Sequence, residues 1–244
     1  MKENDRSPAA FTSCMEKRET ILTLIWFPIH LWLLPELLIR RIGPGGLTEA
    51  EASFALYAAG AVYMLAIGFR FLRREFDPLC ERPFACMLQI GLSYIAMMGF
   101  NLCLSGILSA LELALSDGSA AANPNNEAVI SLALEDYNTM AAAAVFLAPI
   151  VEEMLFRGAV FGALRKWNRT AAYAGSMLLF SLYHVWAYAM EDPIYWIYLL
   201  QYLPVSYLLC RCYEKTDSLW CSIFFHMLVN GVSMRLLLLL QEVL

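Results

Sequence analysis

Glu152 and Glu153 stand side by side in Ala141 to Leu164, a stretch otherwise apolar enough to cross a bilayer. An ionisable side chain at membrane depth costs about 2.5 to 3.5 kcal/mol on insertion scales, so two adjacent carboxylates demand partners. The chain supplies them. Arg157 follows Glu153 by one helical turn, His184 lies in the next apolar segment, and His226 with Asn230 lies in the last. A carboxylate and an imidazole sharing one water can deprotonate it for attack on a carbonyl, while a second imidazole and a carboxamide donate hydrogen bonds to the resulting oxyanion. The pattern reads as a buried hydrolytic site, and the substrate that fits is a peptide bond presented in or beside the membrane.

Helical spacing divides the labour. Glu153 and Arg157 are four apart and meet on one side of their helix, as do Phe180 with His184 and His226 with Asn230. Glu152 points about 100° away from Glu153, so the two carboxylates are not expected to address the same partner. Glu153 is then held by Arg157 as a structural ion pair, leaving Glu152 for His184. Pro149 has no N–H to donate and should kink the helix, admitting water near Glu152.

The elements that must position these groups are membrane spans. Of 244 residues, 60% are apolar and 16% charged, well off the balance of a soluble domain. Segments of about 20 apolar residues run over Ile21 to Ile39, Ala52 to Leu72, Phe84 to Leu115, Met140 to Leu164, Ala171 to Ala189, Ile194 to Tyr213 and Leu219 to Leu240. An all-α, polytopic transmembrane bundle of about seven spans is expected. Counting from the span ends at about 1.5 Å per residue puts Glu152, His184 and Asn230 each about 20 Å deep, and His226 about 14 Å. Three separate helices thus bring polar groups to one layer.

Basic residues set the orientation. Lys2, Arg6, Lys17 and Arg18 precede the first span. Arg70, Arg73, Arg74 and Arg82 fall in the second loop, Arg165, Lys166 and Arg169 in the fourth, and Arg211 and Lys215 in the sixth. The third loop, Ser116 to Thr139, has only acidic charges, and the fifth only Glu191 and Asp192. Arg40 and Arg41 are the exception. An integral multi-pass protein with a cytoplasmic N-terminus and an extracytoplasmic C-terminus follows. The start lacks the apolar core and cleavage site of a removable signal peptide. The net charge of −5 carries no basic tract that would suggest nucleic acid. Seven irregularly spaced cysteines read as reduced thiols.

Rival hydrolytic chemistries lack their motifs. There is no HExxH helix, no Asp deep in a span and no GxSxG elbow. Glu152, His184 and His226 could together hold a zinc ion, two His and one carboxylate being a catalytic ligand set. The metal question stays open at this stage.

Three motifs, in order, carry a resemblance: EEMLFR at Glu152 to Arg157 as EExxxR, FSLYH at Phe180 to His184 as FxxxH, and HMLVN at His226 to Asn230 as HxxxN. Over roughly Met140 to Leu240 the chain resembles the CPBP family, the Abi or CAAX protease group of intramembrane endopeptidases that includes the type II CAAX prenyl protease. The resemblance implies a conical helical bundle open toward the membrane and the cytoplasm, with Glu152 as the water-activating base aided by His184. It also implies an oxyanion site at His226 and Asn230, support from Glu153 and Arg157, and packing by Phe180. Family members are described both as metalloproteases and as metal-independent glutamate proteases, so zinc is not decided by kinship.

The expected organisation is a cytoplasmic tail over 1–20, N-terminal spans and an acidic extracytoplasmic loop over 21–139, and a catalytic helical core over 140–244. Its partners are a peptide or protein substrate and the lipid bilayer. The competing readings are a non-catalytic scaffold or immunity protein of the same fold and a proton-coupled transporter. Against the transporter stands the absence of an inverted repeat. Outside the site, His30, Trp26 and Trp32 read as belt residues near span ends, Asn101 as a helix-to-helix hydrogen bonder, and Glu36 with Arg40 as a simple pair. Glu127 to Tyr137 reads as a short surface helix, and Phe84 to Leu115 is too long for one upright span.

Overall fold

The computed structural model describes residues 11–115 and 123–241. Lys2, Arg6 and Asp117 lie outside them. The protein is an all-α membrane bundle, and the described residues hold no β-structure beyond one isolated bridge between Ile42 and Leu47. Helix α1 runs over Lys17–Ile39 and α2 over Glu49–Ile67. Short helices α3 (Phe69–Arg74) and α4 (Asp77–Glu81) lead into α5 (Pro83–Leu115). Then come α6 (Pro124–Glu135), α7 (Tyr137–Arg165), α8 (Arg169–Glu191), a 3-10 run over Pro193–Tyr198, α9 (Leu199–Thr216) and α10 (Leu219–Gln241).

Among the described residues, five helices are long and apolar enough to cross a membrane: α1, α2, α5, α7 and the Leu219–Leu236 stretch of α10. The two other expected spans form as α8 and α9. Polar residues such as His184, Gln201 and Arg211 dilute their hydropathy, and the first turn expected for α9 is the 3-10 run instead. Helix α5 is unbroken for 33 residues, about 50 Å at helical rise.

Helix α7 is the axis. Val151 to Ala159 are buried without interruption, the signature of a helix enclosed on every side. On one flank Val151, Met154 and Phe161 pack with Trp26, Met64 and Phe71. On the other, Leu155 and Phe156 pack with Phe180, Tyr202 and Phe225. The first two spans therefore share a core with the site-bearing helices.

Pro149 acts as its chemistry demands, through a wider turn rather than a break. A π-helical stretch over Ala142–Leu147 precedes it, and a second, Met154–Phe161, follows the glutamate pair. Such turns absorb the hydrogen bond that proline cannot donate. Helix α1 repeats the device: a π turn over Ile29–Leu33, which carries His30, precedes Pro35.

The basic end of the bundle is closed by the chain's own N-terminal segment. Backbone N–H groups of Thr12 and Ser13 donate to Asp217 Oδ1 at 2.9 and 2.8 Å. Arg74 and Lys166 donate to the carbonyls of Cys14 and Met15 at 2.8 and 3.3 Å. Phe11 stacks edge-on against Phe161 and Tyr213. Met15 is buried against Gly158, which has no room for a Cβ beside its Sδ–Cε end. Beside this strap, Arg165 and Arg169 clamp Glu214 at 3.0 and 2.8 Å, tying the α7–α8 turn to the end of α9. Burial opposes ionisation of Glu214, but hydrogen bonds from Arg169, Tyr173 and Arg165 outweigh it and hold the carboxyl at about 2.

Candidate active site

Glu152, His184 and His226 come together from α7, α8 and α10. Oε2 of Glu152 is buried, makes no hydrogen bond, and lies 3.8 Å from Nε2 of His184 and 3.8 Å from Nε2 of His226. Both separations exceed a hydrogen bond and fall within the reach of one bridging water. The tautomer of His184 follows from its other nitrogen. Nδ1 sits 2.8 Å from the carbonyl of Phe180; a carbonyl only accepts, so Nδ1 carries the hydrogen and the neutral ring turns the lone pair of Nε2 toward Glu152. A carboxylate oxygen and an imidazole lone pair facing one point are two acceptors for the two hydrogens of one water.

Glu153 is fully buried and takes three donors: Arg157 at 2.9 Å, Ser222 Oγ at 2.6 Å and His226 Nδ1 at 2.8 Å. The expected Arg157 pair is present, but the expected separation of the two carboxylates is not. His226 sits between them, Nδ1 on Glu153 and Nε2 toward Glu152. The angular argument from α7 alone missed this because an imidazole carries nitrogens on opposite edges and bridges groups that no single-headed side chain could.

Arg157 is itself enclosed. Its second nitrogen donates to Ser206 Oγ at 2.8 Å and to the Ser206 carbonyl at 3.2 Å, and its guanidinium lies 4.4 Å over the Phe180 ring. Phe180 packs, as expected, against Phe156, His184 and His226, fixing both imidazoles. Asn230 reaches the same cavity. One of its two amide hydrogens is spent on the carbonyl of Ala144 at 2.8 Å, which locks the carboxamide and leaves the second N–H.

A cavity of about 700 Å³ extends from Glu152. His30, Tyr57, Asn101, His184, Tyr202 and Asn230 are among its walls. Tyr57 of α2, Met140 and Ala144 of α7, and Gln201 and Tyr202 of α9 line it from the halves remote from the basic loops, whereas His226 of α10 lies in the nearer half. The strap through Phe11 and Met15 packs against the basic end of the bundle.

His30 is a second correction. It is buried at mid-helix, its Nε2 lies 2.9 Å from Tyr183 Oη, and Tyr183 Oη lies 3.1 Å from Tyr57 Oη. All three histidines therefore face one cavity. Trp26 is likewise core, stacked on Tyr63 at 4.6 Å, while Trp32 is exposed as a lipid-facing ring would be. Asn101 is exposed to the cavity rather than bonded to a neighbouring helix. Glu36 and Arg40 form the expected exposed pair at 2.7 Å.

Sequence reasoning missed Tyr202, whose ring stacks on His184 at 4.5 Å and 21°, and whose hydroxyl accepts from Asn123 and Asn125 at the start of α6. The segment expected as a surface helix is thus α6, latched to a site histidine through one tyrosine. Ser222 was legible in principle, since it lies four residues before His226, whereas Ser206 lies four residues after Tyr202, which carried no signal of its own.

Among the described residues no group of three His, Cys, Asp or Glu side chains is drawn closely enough to grip a metal ion as it stands. Glu152, His184 and His226 are nonetheless the donors that point at one another, with the orphaned Oε2 at their centre.

A family model described as type II CAAX prenyl endopeptidase Rce1-like matches residues 135–232. A protein of Bacillus subtilis (strain 168) named "Putative membrane peptidase YdiL" is 29% identical over 146 residues, 58% of this chain and 55% of that one. The match therefore spans about half the length of that relative. No solved structure gives a significant match.

Proposed function

We propose, from the similarity of residues 135–232 to a family model described as type II CAAX prenyl endopeptidase Rce1-like, that the chain is an intramembrane endopeptidase in which Glu152 and His184 activate water and His226 with Asn230 receives the oxyanion. The observation that carries the reading is the unpartnered, buried Oε2 of Glu152 facing Nε2 of His184 across 3.8 Å. A water held between them donates one hydrogen to each and presents its oxygen to the cavity. Glu152 takes the proton as the oxygen attacks the peptide carbonyl, and passes it to the leaving nitrogen as the tetrahedral intermediate collapses.

The oxyanion needs donors placed in advance. The remaining N–H of Asn230 is one, held by Ala144. The ring of His226, held through Nδ1 by Glu153, is the other. Glu153 and Arg157 act on the chemistry only through that ring and through Phe180. The same three groups, Glu152, His184 and His226, would hold a zinc ion, which when bound supplies a Lewis acid and an acidified water.

The test is cleavage of a membrane-anchored peptide mixture by purified protein in liposomes, with and without a strong chelator. Wild type should cleave and Glu152→Gln and His184→Ala should not, with all three equally folded; activity kept in chelator selects the metal-free form. Equal turnover by wild type and Glu152→Gln would remove the hydrolase reading and favour the scaffold.

A further inference from the structure

His30, Tyr183 and Tyr57 form a hydrogen-bonded chain that the mechanism above does not use. Nε2 of His30 lies 2.9 Å from Tyr183 Oη, and Tyr183 Oη lies 3.1 Å from Tyr57 Oη. The three residues come from α1, α8 and α2, and all of them line the cavity that holds Glu152. Tyr183 also meets the His184 ring edge-on at 5.0 Å, so the chain runs beside the reacting groups. His30 and Tyr57 stand outside the segment that carries the three motifs, in the first two spans.

The hydrogens of this chain decide what it offers. Two contacts use two hydrogens, while each phenol carries one and the imidazole carries at least one. Nδ1 of His30 is buried and has no hydrogen-bond partner. A hydrogen there would be a buried N–H without an acceptor, a defect that folded chains avoid, so the ring carries its hydrogen on Nε2. Nε2 then donates to Tyr183 and Tyr183 donates to Tyr57, each bond polarising the next. The hydrogen of Tyr57 is left over. Tyr57 is half-buried in the cavity wall, and among the described residues its hydroxyl has no hydrogen-bond partner besides Tyr183.

No hydrogen bond within the described residues joins this phenol to Glu152, whose Oε2 is itself unpartnered, so the leftover hydrogen is not wired to the base. It needs an acceptor that arrives from outside. A peptide carbonyl accepts and never donates, which makes it the complement of such a donor. Resting on the endopeptidase reading above, we infer that Tyr57 Oη is a substrate-binding donor that holds a backbone carbonyl of a residue flanking the scissile bond, with Tyr183 and His30 as the positioning residues behind it. That carbonyl gains no charge during the reaction, so the contact is equally strong before and at the transition state and acts on KM rather than kcat.

Binding without turnover tests this. The probe is a blocked Ala/Leu/Ser decapeptide, and the protein is the whole chain as Glu152→Gln in liposomes, which should hold the peptide without cutting it. Adding Tyr57→Phe should weaken Kd about fivefold, the usual worth of one neutral hydrogen bond, while the Phe ring keeps its packing against His30. No saturable binding, or an unchanged Kd, overturns the assignment. Thioamide replacement of one carbonyl at a time weakens that acceptor. It should cost about threefold at one position in Glu152→Gln and nothing there once Tyr57→Phe is added; equal losses in both proteins overturn the contact. In cleavage, Tyr57→Phe alone should raise KM about fivefold with kcat little changed, and a lowered kcat at unchanged KM overturns ground-state binding. Thermal unfolding in detergent exposes a packing role: a lower unfolding temperature for Tyr57→Phe, with Kd and KM unchanged, makes the chain a helix clamp and overturns the inference. Glu152-dependent cleavage indifferent to Tyr57 removes only this inference, whereas Tyr57-dependent binding with no Glu152-dependent cleavage removes only the endopeptidase reading.

Discussion

Nε2 of His184 and Oε2 of Glu152 face each other across 3.8 Å with no protein atom hydrogen-bonded to that oxygen. The gap is too wide for a direct hydrogen bond and within reach of one bridging water, which is why the pair reads as machinery rather than as a helix clamp. The contrast with Glu153 is instructive, because one residue along the chain the carboxylate is saturated by three donors.

Asn230→Ala should lower kcat by about 10²- to 10³-fold, the usual cost of losing one oxyanion donor. Substrate affinity should change little, since the donor matters most in the transition state. Steady-state kinetics checks it: a rise in KM at constant kcat would reassign Asn230 to substrate binding.

Arg157→Met should destabilise the fold by about 3 to 5 kcal/mol, because it strands the fully buried Glu153 carboxylate. Glu153→Gln with Arg157→Met should recover part of that loss. Thermal unfolding in detergent measures both, and a single variant as stable as wild type would show that the ion pair does not organise α7.

Tyr202 positions His184 without touching the reacting atoms. Tyr202→Phe keeps the stacked ring and should keep most activity; Tyr202→Leu removes it and should lower kcat about tenfold, in the range of losing a small part of general-base positioning. The acidic limb of the kcat–pH profile should also move in Tyr202→Leu, which a purely structural loss would not do.

Glu75 gives a pH signature outside the spans. Burial pushes its carboxyl from 4.5 up to about 7, against the hydrogen bond it accepts from the Leu219 N–H. A raised acid pKa means the folded state binds the proton more tightly. Stability from this group is therefore full below about pH 4.5 and is lost as pH rises through 7, by about 3 kcal/mol in all. Unfolding temperatures at pH 5.5 and 8 should differ in that direction, and Glu75→Gln should flatten the difference.

The spans and the three site helices were legible because lipid permits few ways to hide a backbone, and a polar group in an apolar run stands out against that background. Glu152, Glu153, Arg157, His184, His226 and Asn230 stood out as candidates that way. His30 was not, since a histidine near aromatic residues in a first span looks the same whether it faces lipid or a cavity. The bridging by His226 and the stacking of Tyr202 depend on how helices rotate against one another, which periodicity along one helix does not encode. The closed basic end was hidden for a similar reason: a polar N-terminal segment reads as a tail until its backbone is seen bonded to Asp217.

The most direct measurement compares new peptide termini in membranes of cells making equal amounts of wild-type protein and Glu152→Gln. The account predicts a set of internal cleavages that appears with wild type and vanishes with Glu152→Gln and with His184→Ala. Identical termini in all three, with the proteins folded and inserted, would contradict it.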